Sequence, residues 1–293
     1  VPAIELFTSP HWEDYELMDS GNGLKLERFG QYRFIRPEHQ ALWRPALAAK
    51  QWDTADAIFQ PDSDESGGKW QFRNRLEPTW KMRYQGIIFM AHTSNSRHLG
   101  VFPEQATHWD WINDVIKAHD KPAKVLNLFG YTGLATLAAA KAGAQVTHLD
   151  ASKKSVTFAR ENQQLSQLEE KPIRWIVDDA VKFVMREVRR GMHYDGIILD
   201  PPKFGRGPKG EVWEFSKMLP FLLEQIKPLF TARPLFLVIT AYAIRASALS
   251  LHFAIQELMS SFPGELSSGE LTLEEKSAGR ILSMAITTRW SSV

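Results

Sequence analysis

Residues 124–150 read KVLNLFGYTGLATLAAAKAGAQVTHLD, and the rhythm of that stretch decides the fold. Val125–Phe129 is an apolar run of strand length. A tight glycine turn follows, then an alanine-rich segment, Gly133–Ala142, with the composition of a helix. Gln145–Asp150 is again strand-like and ends on an acid. The same step recurs downstream. Helices are expected over Ser152–Leu165, Ala180–Arg190, Glu214–Lys227 and Ser247–Ser260, and strands over Ile173–Asp178, Tyr194–Asp200 and Leu235–Thr240. Strands separated by helices of this length require a parallel, doubly wound sheet with right-handed crossovers. Leu271–Glu274 and Ile281–Trp290 break the alternation and read as a closing hairpin.

Upstream of Lys124 the pattern changes to short strands. Tyr15–Asp19 and Lys25–Phe29 flank the turn signal SGNG, Tyr32–Ile35 follows, and Pro37–Ala49 reads as a short helix or loop. Ile58–Phe59 and Trp70–Phe72 flank QPDSDESGG, an acidic, glycine-rich stretch expected to be a mobile loop. Met82–Tyr84 and Ile87–Met90 form a hairpin across Gln85-Gly86. HTSNSR reads as a linker and Pro103–His119 as a helix with proline in its first turn. A β-rich domain over 1–97 and a second domain over 98–293 are expected.

Bulk properties narrow the function. A chain of 293 residues with formal net charge +1 has no whole-molecule field pointing to nucleic acid or membrane. It contains no cysteine, so disulfides, thiolate nucleophiles and zinc–thiolate sites are excluded within it. Its nine histidines include no close pair of metal-motif type, and no metal is expected. The most apolar run, Leu235–Ile244, is shorter than the roughly 20 residues that span a bilayer. The beginning of the sequence has no signal-peptide pattern. A soluble, cytoplasmic protein is expected; its oligomeric state is not legible.

Ligands of doubly wound sheets sit beyond the carboxyl ends of the strands, so four strand ends matter. The first, Asn127–Gly133 (NLFGYTG), offers glycines for close backbone approach and a helix start with free N–H groups. It lacks the GxGxxG spacing of nicotinamide-binding folds. The second ends on Asp150, where an acid can accept both hydroxyls of a ribose or simply cap the helix from Ser152. The third ends in VDDA, where Asp179 can accept from an adenine amine or serve as a cap. The fourth is ILDPPKF. Its two prolines fix φ and donate no hydrogen bond, so Asp200 and the carbonyl of Pro201 become acceptors held in a rigid turn.

In this order the motifs NLFGYTG, HLDAS, VDDA and ILDPPKF resemble the class I S-adenosylmethionine-dependent methyltransferases over about Lys124–Trp290. DPPKF together with RHLGVFPEQ (Arg97–Gln105) resembles bacterial enzymes related to large-subunit ribosomal RNA methyltransferases. LERFGQYRFIRPEHQALW (Leu26–Trp43) resembles a subgroup carrying a small β-domain. The resemblance implies a Rossmann-like α/β fold, a mostly parallel seven-stranded sheet with a terminal antiparallel hairpin, beside the smaller β-rich domain. It implies S-adenosyl-L-methionine as cofactor. Phe129, Gly130, Tyr131, Thr132 and Gly133 would wrap its methionine and sulfonium, and Asp150 with neighbouring Ser152 would hold the ribose. Asp179 would take the adenine amine, Asp200 would sit near the methyl, and Gln105 would close the pocket. Asn127 stands where many members carry an acid, so the charge that would attract the cofactor's ammonium is missing.

Methyl transfer from a sulfonium needs mainly a nucleophile held in line at about 3–3.5 Å. Asp200, Pro201, Pro202 and Lys203 form the catalytic turn, which favours nitrogen methylation of a planar group with Phe204 or Tyr131 available to stack. A cysteine-dependent carbon-5 mechanism is excluded by composition. After the fifth strand the chain reads ITAYA, where Tyr242 lines the substrate pocket or merely packs. KFGRGPKG (Lys203–Gly210, with Arg206) and RNRLEPTWKMR (Arg73–Arg83, with Trp80) are local basic stretches with aromatics, suited to phosphates and bases. The expected activity is nitrogen methylation of an RNA base, ribosomal RNA above others. The alternatives are a small-molecule or protein methyltransferase and a non-catalytic RNA-binding assembly factor.

Overall fold

The computed structural model describes residues 2–62 and 67–292. Residues 63–66 of the acidic loop expected between Ile58–Phe59 and Trp70–Phe72 lie outside the described residues. The chain divides into two units. One takes the chain up to Phe7, Thr107–Leu271 and the chain from Ala285 onward; the other takes Thr8–Ala106 and Thr272–Met284.

The first strand, β1 (Ile4–Thr8), joins the large sheet described below. In the smaller unit, β2 (Tyr15–Gly21), β3 (Leu24–Phe29), β4 (Tyr32–Pro37), a one-turn helix α1 (Ala49–Trp52), β5 (Ala57–Pro61) and β6 (Gly68–Phe72) follow in order. The five strands lie side by side in that sequence, and β7 (Thr79–Tyr84) pairs with β8 (Ile87–His92) in a separate hairpin. Asn22 (φ 53°) with Gly23 and Gln85 (φ 47°) with Gly86 make the two tight turns, as the sequence signals require. Aromatic packing fills this unit: Trp80 is buried and stacks on Phe34 at 5.5 Å between centroids. Its ring is therefore core, and the expectation that Trp80 offers a stacking surface to bases is corrected. Glu27, fully buried, is held by a fork of hydrogen bonds from Arg36 at 2.7 and 2.8 Å.

In the larger unit α2 (Ala106–Lys117) is followed by β9 (Lys124–Leu128), α3 (Leu134–Lys141), β10 (Gln145–Asp150), α4 (Lys153–Leu165), β11 (Ile173–Val177), α5 (Ala180–Arg189) and β12 (Gly196–Leu199). Then come a small ribbon, β13 (Phe204–Arg206) with β14 (Val212–Glu214), and α6 (Phe215–Ile226), β15 (Phe236–Ala241), α7 (Ala248–Met259), β16 (Glu265–Glu274) and β17 (Ile281–Ser291). The sheet order is β1-β16-β17-β15-β12-β9-β10-β11, with β17 antiparallel to β15 and the five strands from β15 to β11 parallel.

Alternation along the parallel strands feeds both faces. Leu126, Ile197 and Leu237 pack with α5, α6 and α7; Val125, Ile198 and Val238 pack with α2 and α3. A sheet covered on both sides reads as continuous apolar runs, which is why its strands were legible. Among the described residues the sheet has eight strands where seven were expected. The additional one is β1, on which only Phe7 is buried, so its sequence carries little alternation. The strand order reverses between β9 and β12, and this switch point places the crevice beside Phe129 and Asp200.

Candidate active site

Three neighbouring strands end level. Leu128 pairs with Leu149 on one side and Leu199 on the other, and Asp150 pairs with Val177. Backbone bonds continue the row past the strand ends: Asp200 N–H to Leu128 C=O (3.4 Å), Gly130 N–H to Leu149 C=O (2.9 Å) and Asp178 N–H to Asp150 C=O (3.2 Å). Phe129–Gly133, Asp150 and Asp200 are thereby brought to one edge.

The loop after β9 is unusual. Phe129 (φ 61°) and Tyr131 (φ 47°) both adopt the left-handed region, and so does Gly133 (φ 87°), the residue before α3. Bulky side chains occupy that region only where their surroundings impose it, and such residues cluster at ligand sites. The surroundings here are identifiable. Tyr131 N–H donates to Asp150 Oδ2 at 2.9 Å, Gly133 N–H donates to Gly130 C=O at 2.9 Å, and the Phe129 ring packs on Trp213 at 4.9 Å. Gly130 has no alternative, because a Cβ there would fall on the His148 imidazole.

Asp150 also accepts from Ser152 N–H at 2.8 Å. Among the described residues no lysine or arginine pairs with it. Burial raises its pKa against the opposing pull of the Ser152 and Tyr131 N–H groups, while burial and the Asp150 charge push the Tyr131 phenol up to about 12. Each carboxylate oxygen keeps a further lone pair after its one backbone bond, so the group fits a pair of hydroxyl donors. Asn127 is buried and its Nδ2 donates to Thr136 Oγ1 at 2.9 Å. The site thus offers an adenosyl sulfonium a carboxylate acceptor, an amide and a left-handed backbone cradle.

Asp179 and Ser152 stand at helix starts. Asp179 accepts from Lys182 N–H (2.9 Å) and Ser152 Oγ from Ser155 N–H (3.2 Å), each capping its helix. Asp178 pairs with Arg186. Gln105 ends a 3-10 turn, Pro103–Gln105, in the smaller unit. Thr132 is buried, and its carbonyl accepts from Asn162 Nδ2 at 3.0 Å, tying the loop to α4. Tyr242 packs with Phe7, Leu271 and Ala285.

At the fourth strand end Pro201 is buried, while the Pro202 carbonyl is already taken by Trp213 Nε1–H at 2.7 Å. Trp213 went unrecognised in the sequence. Its one available signal was an aromatic inside EVWEF, shortly before a helix start. The basic stretch Lys203–Gly210 supplies one strand and the turn of the β13–β14 ribbon. Gly205 opposes Trp213, and Gly207 N–H donates to Glu211 C=O at 2.8 Å. Side chains alternate on a ribbon: Trp213 is buried, whereas Phe204 and Val212 are 57% and 54% exposed. Glu211 and Glu214 are neutralised by Lys182 (2.5 Å) and Lys217 (2.7 Å), but Lys203, Arg206 and Lys209 have no acidic partner among the described residues.

A family model of S-adenosylmethionine-dependent methyltransferases matches residues 32–257. The crystal structure of the SAM-dependent methyltransferase from Agrobacterium tumefaciens superimposes with a TM-score of 0.94 at 48% identity, over 100% of this chain and 96% of that one. The chain belongs to the S-adenosylmethionine-dependent methyltransferase family. Family membership brings S-adenosylmethionine as the cofactor, in keeping with the donor set at β9 and β10. Shorter matches reach ribosomal RNA large subunit methyltransferase I of Aeromonas salmonicida, 29% identical over 41% of this chain and 29% of that protein. Ribosomal RNA large subunit methyltransferase K/L of Syntrophotalea carbinolica is 38% identical over 48% of this chain and 19% of that protein. The chain thus spans less than a third of the length of either relative. Among the described residues no helix is long and apolar enough to cross a membrane, and no cluster of three or more histidine, aspartate or glutamate side chains is placed to hold a metal.

Proposed function

We propose that this methyltransferase modifies a nitrogen of an RNA base, in ribosomal RNA, within the cytoplasm. The observation that carries the reading is the Asp200-Pro201-Pro202 turn, set at the switch point next to the Phe129–Gly133 cradle and clamped from behind by the Trp213 indole. With the Pro202 carbonyl committed to Trp213, the Asp200 carboxylate and the Pro201 carbonyl are the acceptors we assign to the substrate. Two acceptors in a rigid turn suit an amino or ring N–H: they take its hydrogens and direct the nitrogen lone pair.

S-adenosylmethionine supplies an electrophilic methyl. Asp150 holds the ribose, Phe129–Gly133 line the methionine side, and Asp179, beyond its capping bond, keeps an oxygen for the adenine amine. Ser152 is assigned a lesser contact with the cofactor. Asp200 orients the accepting nitrogen and draws off its proton as the new N–C bond forms and the sulfur recovers its electron pair. Lys203, Arg206 and Lys209 meet the phosphates and Phe204 stacks on a base. Exposed cation and ring together on one ribbon favour single-stranded RNA over a small metabolite. Tyr242 packs on the apolar cluster around Phe7, which leaves it the weakest of the substrate contacts.

The test is transfer of labelled methyl from S-adenosylmethionine to total RNA of a deletion strain, followed by nuclease digestion and identification of the labelled nucleoside. Label on a base nitrogen is expected. Label on carbon, on ribose oxygen, or only in protein or small metabolites overturns the proposal.

A further inference from the structure

Behind the cradle lies a short buried chain of polar side chains that the chemistry above does not use. Asn127 Nδ2 donates to Thr136 Oγ1 (2.9 Å), and Thr136 Oγ1 lies 2.9 Å from His148 Nδ1. All three residues are buried, His148 completely. They make no other side-chain hydrogen bond among the described residues, and His148 Nε2 has no hydrogen-bond partner among them. The ring lies against Gly130 and the Trp175 indole, 4.7 Å away between centroids.

Counting protons decides the direction of the chain. A hydroxyl has one hydrogen to give. If Thr136 gives it to His148 Nδ1, the imidazole carries its proton on Nε2, and only that N–H lacks a partner. With the Asn127 NH2 on Thr136 Oγ1, a His148 that donated from Nδ1 would strand both the Thr136 hydroxyl hydrogen and the Nε2 lone pair. Buried polar groups left unpaired are costly, so the first arrangement prevails. Thr136 then accepts the NH2 of Asn127 on its remaining lone pair, as the 2.9 Å contact has it. The amide is thereby locked with its nitrogen inward, which leaves its carbonyl oxygen as the acceptor at the end of β9.

We infer that His148 is a positioning residue which, acting through Thr136, orients Asn127 so that the amide oxygen receives the cofactor's ammonium. This rests on the assignment of the β9–β10 crevice to the cofactor. It also accounts for an amide at position 127. A carboxylate has no hydrogen to donate to Thr136; it would take the hydroxyl hydrogen itself and force the imidazole proton onto Nδ1.

Two measurements test the inference. In protein labelled with 15N at histidine, with His148→Phe used only to assign the resonance, imidazole NMR should show the Nε2–H form in the native chain and the Nδ1–H form in Asn127→Asp. Thr136→Val should weaken cofactor binding by calorimetry about tenfold, the scale of one stranded buried hydrogen bond, with kcat at saturating cofactor kept. Thr136→Ser, which retains the hydroxyl, should bind like the native chain. An Nδ1–H form in the native protein overturns the inference, as does native affinity in Thr136→Val or an equal loss in Thr136→Ser. Should the native chain bind no S-adenosylmethionine, the cofactor assignment falls, while the NMR result still reports on the relay.

Discussion

Asp150 and Asp200 are both carboxylates at strand ends, yet their surroundings give them different work. Asp150 is tied by two backbone N–H groups and braces a left-handed loop. Removing it takes away a charged acceptor and the brace together. Asp150→Ala should therefore weaken S-adenosylmethionine binding by about 10- to 100-fold, as expected for hydrogen bonds to a charged group, which calorimetry would read directly. Asp200 belongs to a turn whose backbone is bonded to Leu128 and Trp213. Asp200→Ala should leave cofactor affinity within about threefold while lowering kcat on the order of 10²–10⁴, the usual range for a lost proton acceptor. Equal turnover in that variant would remove Asp200 from the chemistry. The residue scale is also where sequence reading is weakest. Asp179 stood open between ligand and cap, and its side chain takes a capping bond. A cap and a ligand use the same residue types at the same strand–helix junction, so spacing alone cannot separate them.

At the scale of elements, the parallel strands and their helices were legible because a doubly covered sheet writes long apolar runs, and because helices must fill the crossovers. β10 runs from Gln145 to Asp150, as the pattern indicated. What escaped was short or one-sided. β1 buries little besides Phe7, and β16 begins at Glu265, ahead of the Leu271 at which alternation becomes evident. The three-residue strands of the β13–β14 ribbon are too brief for any period to show, and glycines with lysines there look like a plain loop. Yet the ribbon gives the catalytic turn its stiffness. Trp213 reaches from β14 to the Pro202 carbonyl and supports Phe129 with its ring face. Trp213→Phe preserves most of the ring packing and deletes the N–H. Single-turnover kinetics should show methyl transfer slowed about tenfold, the effect of one lost buried hydrogen bond on a reacting geometry, with cofactor affinity unchanged. A variant as fast as the native chain would mean that the prolines alone hold the turn.

For the whole molecule the formal net charge is only +1, so any affinity for RNA has to be local. Three unpaired cations on the ribbon should give a logarithmic salt slope of about −2 for single-stranded RNA, and charge reversal at Arg206 should reduce it. Stability, by contrast, is coupled to histidines far from the ribbon. His148 has its pKa held down to about 3 by burial, and His108 is held well below the usual value by burial and the neighbouring Arg289 guanidinium. Both lie in the larger unit, and both are neutral in the folded chain well below pH 6.5. Unfolding releases them to an ordinary pKa of about 6.5, so between that value and their folded values the unfolded state binds more protons. Their stabilising contribution is complete above pH 6.5 and declines as the pH falls. At pH 5.5 each should have cost about 1.4 kcal/mol, or about 3 kcal/mol for the pair. Urea unfolding of the larger unit should show the midpoint falling between pH 7.5 and 5.5, and His108→Gln should remove about half of that fall. A midpoint indifferent to pH over this interval would mean that one or both imidazoles are protonated within the fold, and the single orphaned Nε2–H assigned to His148 would have to be redrawn.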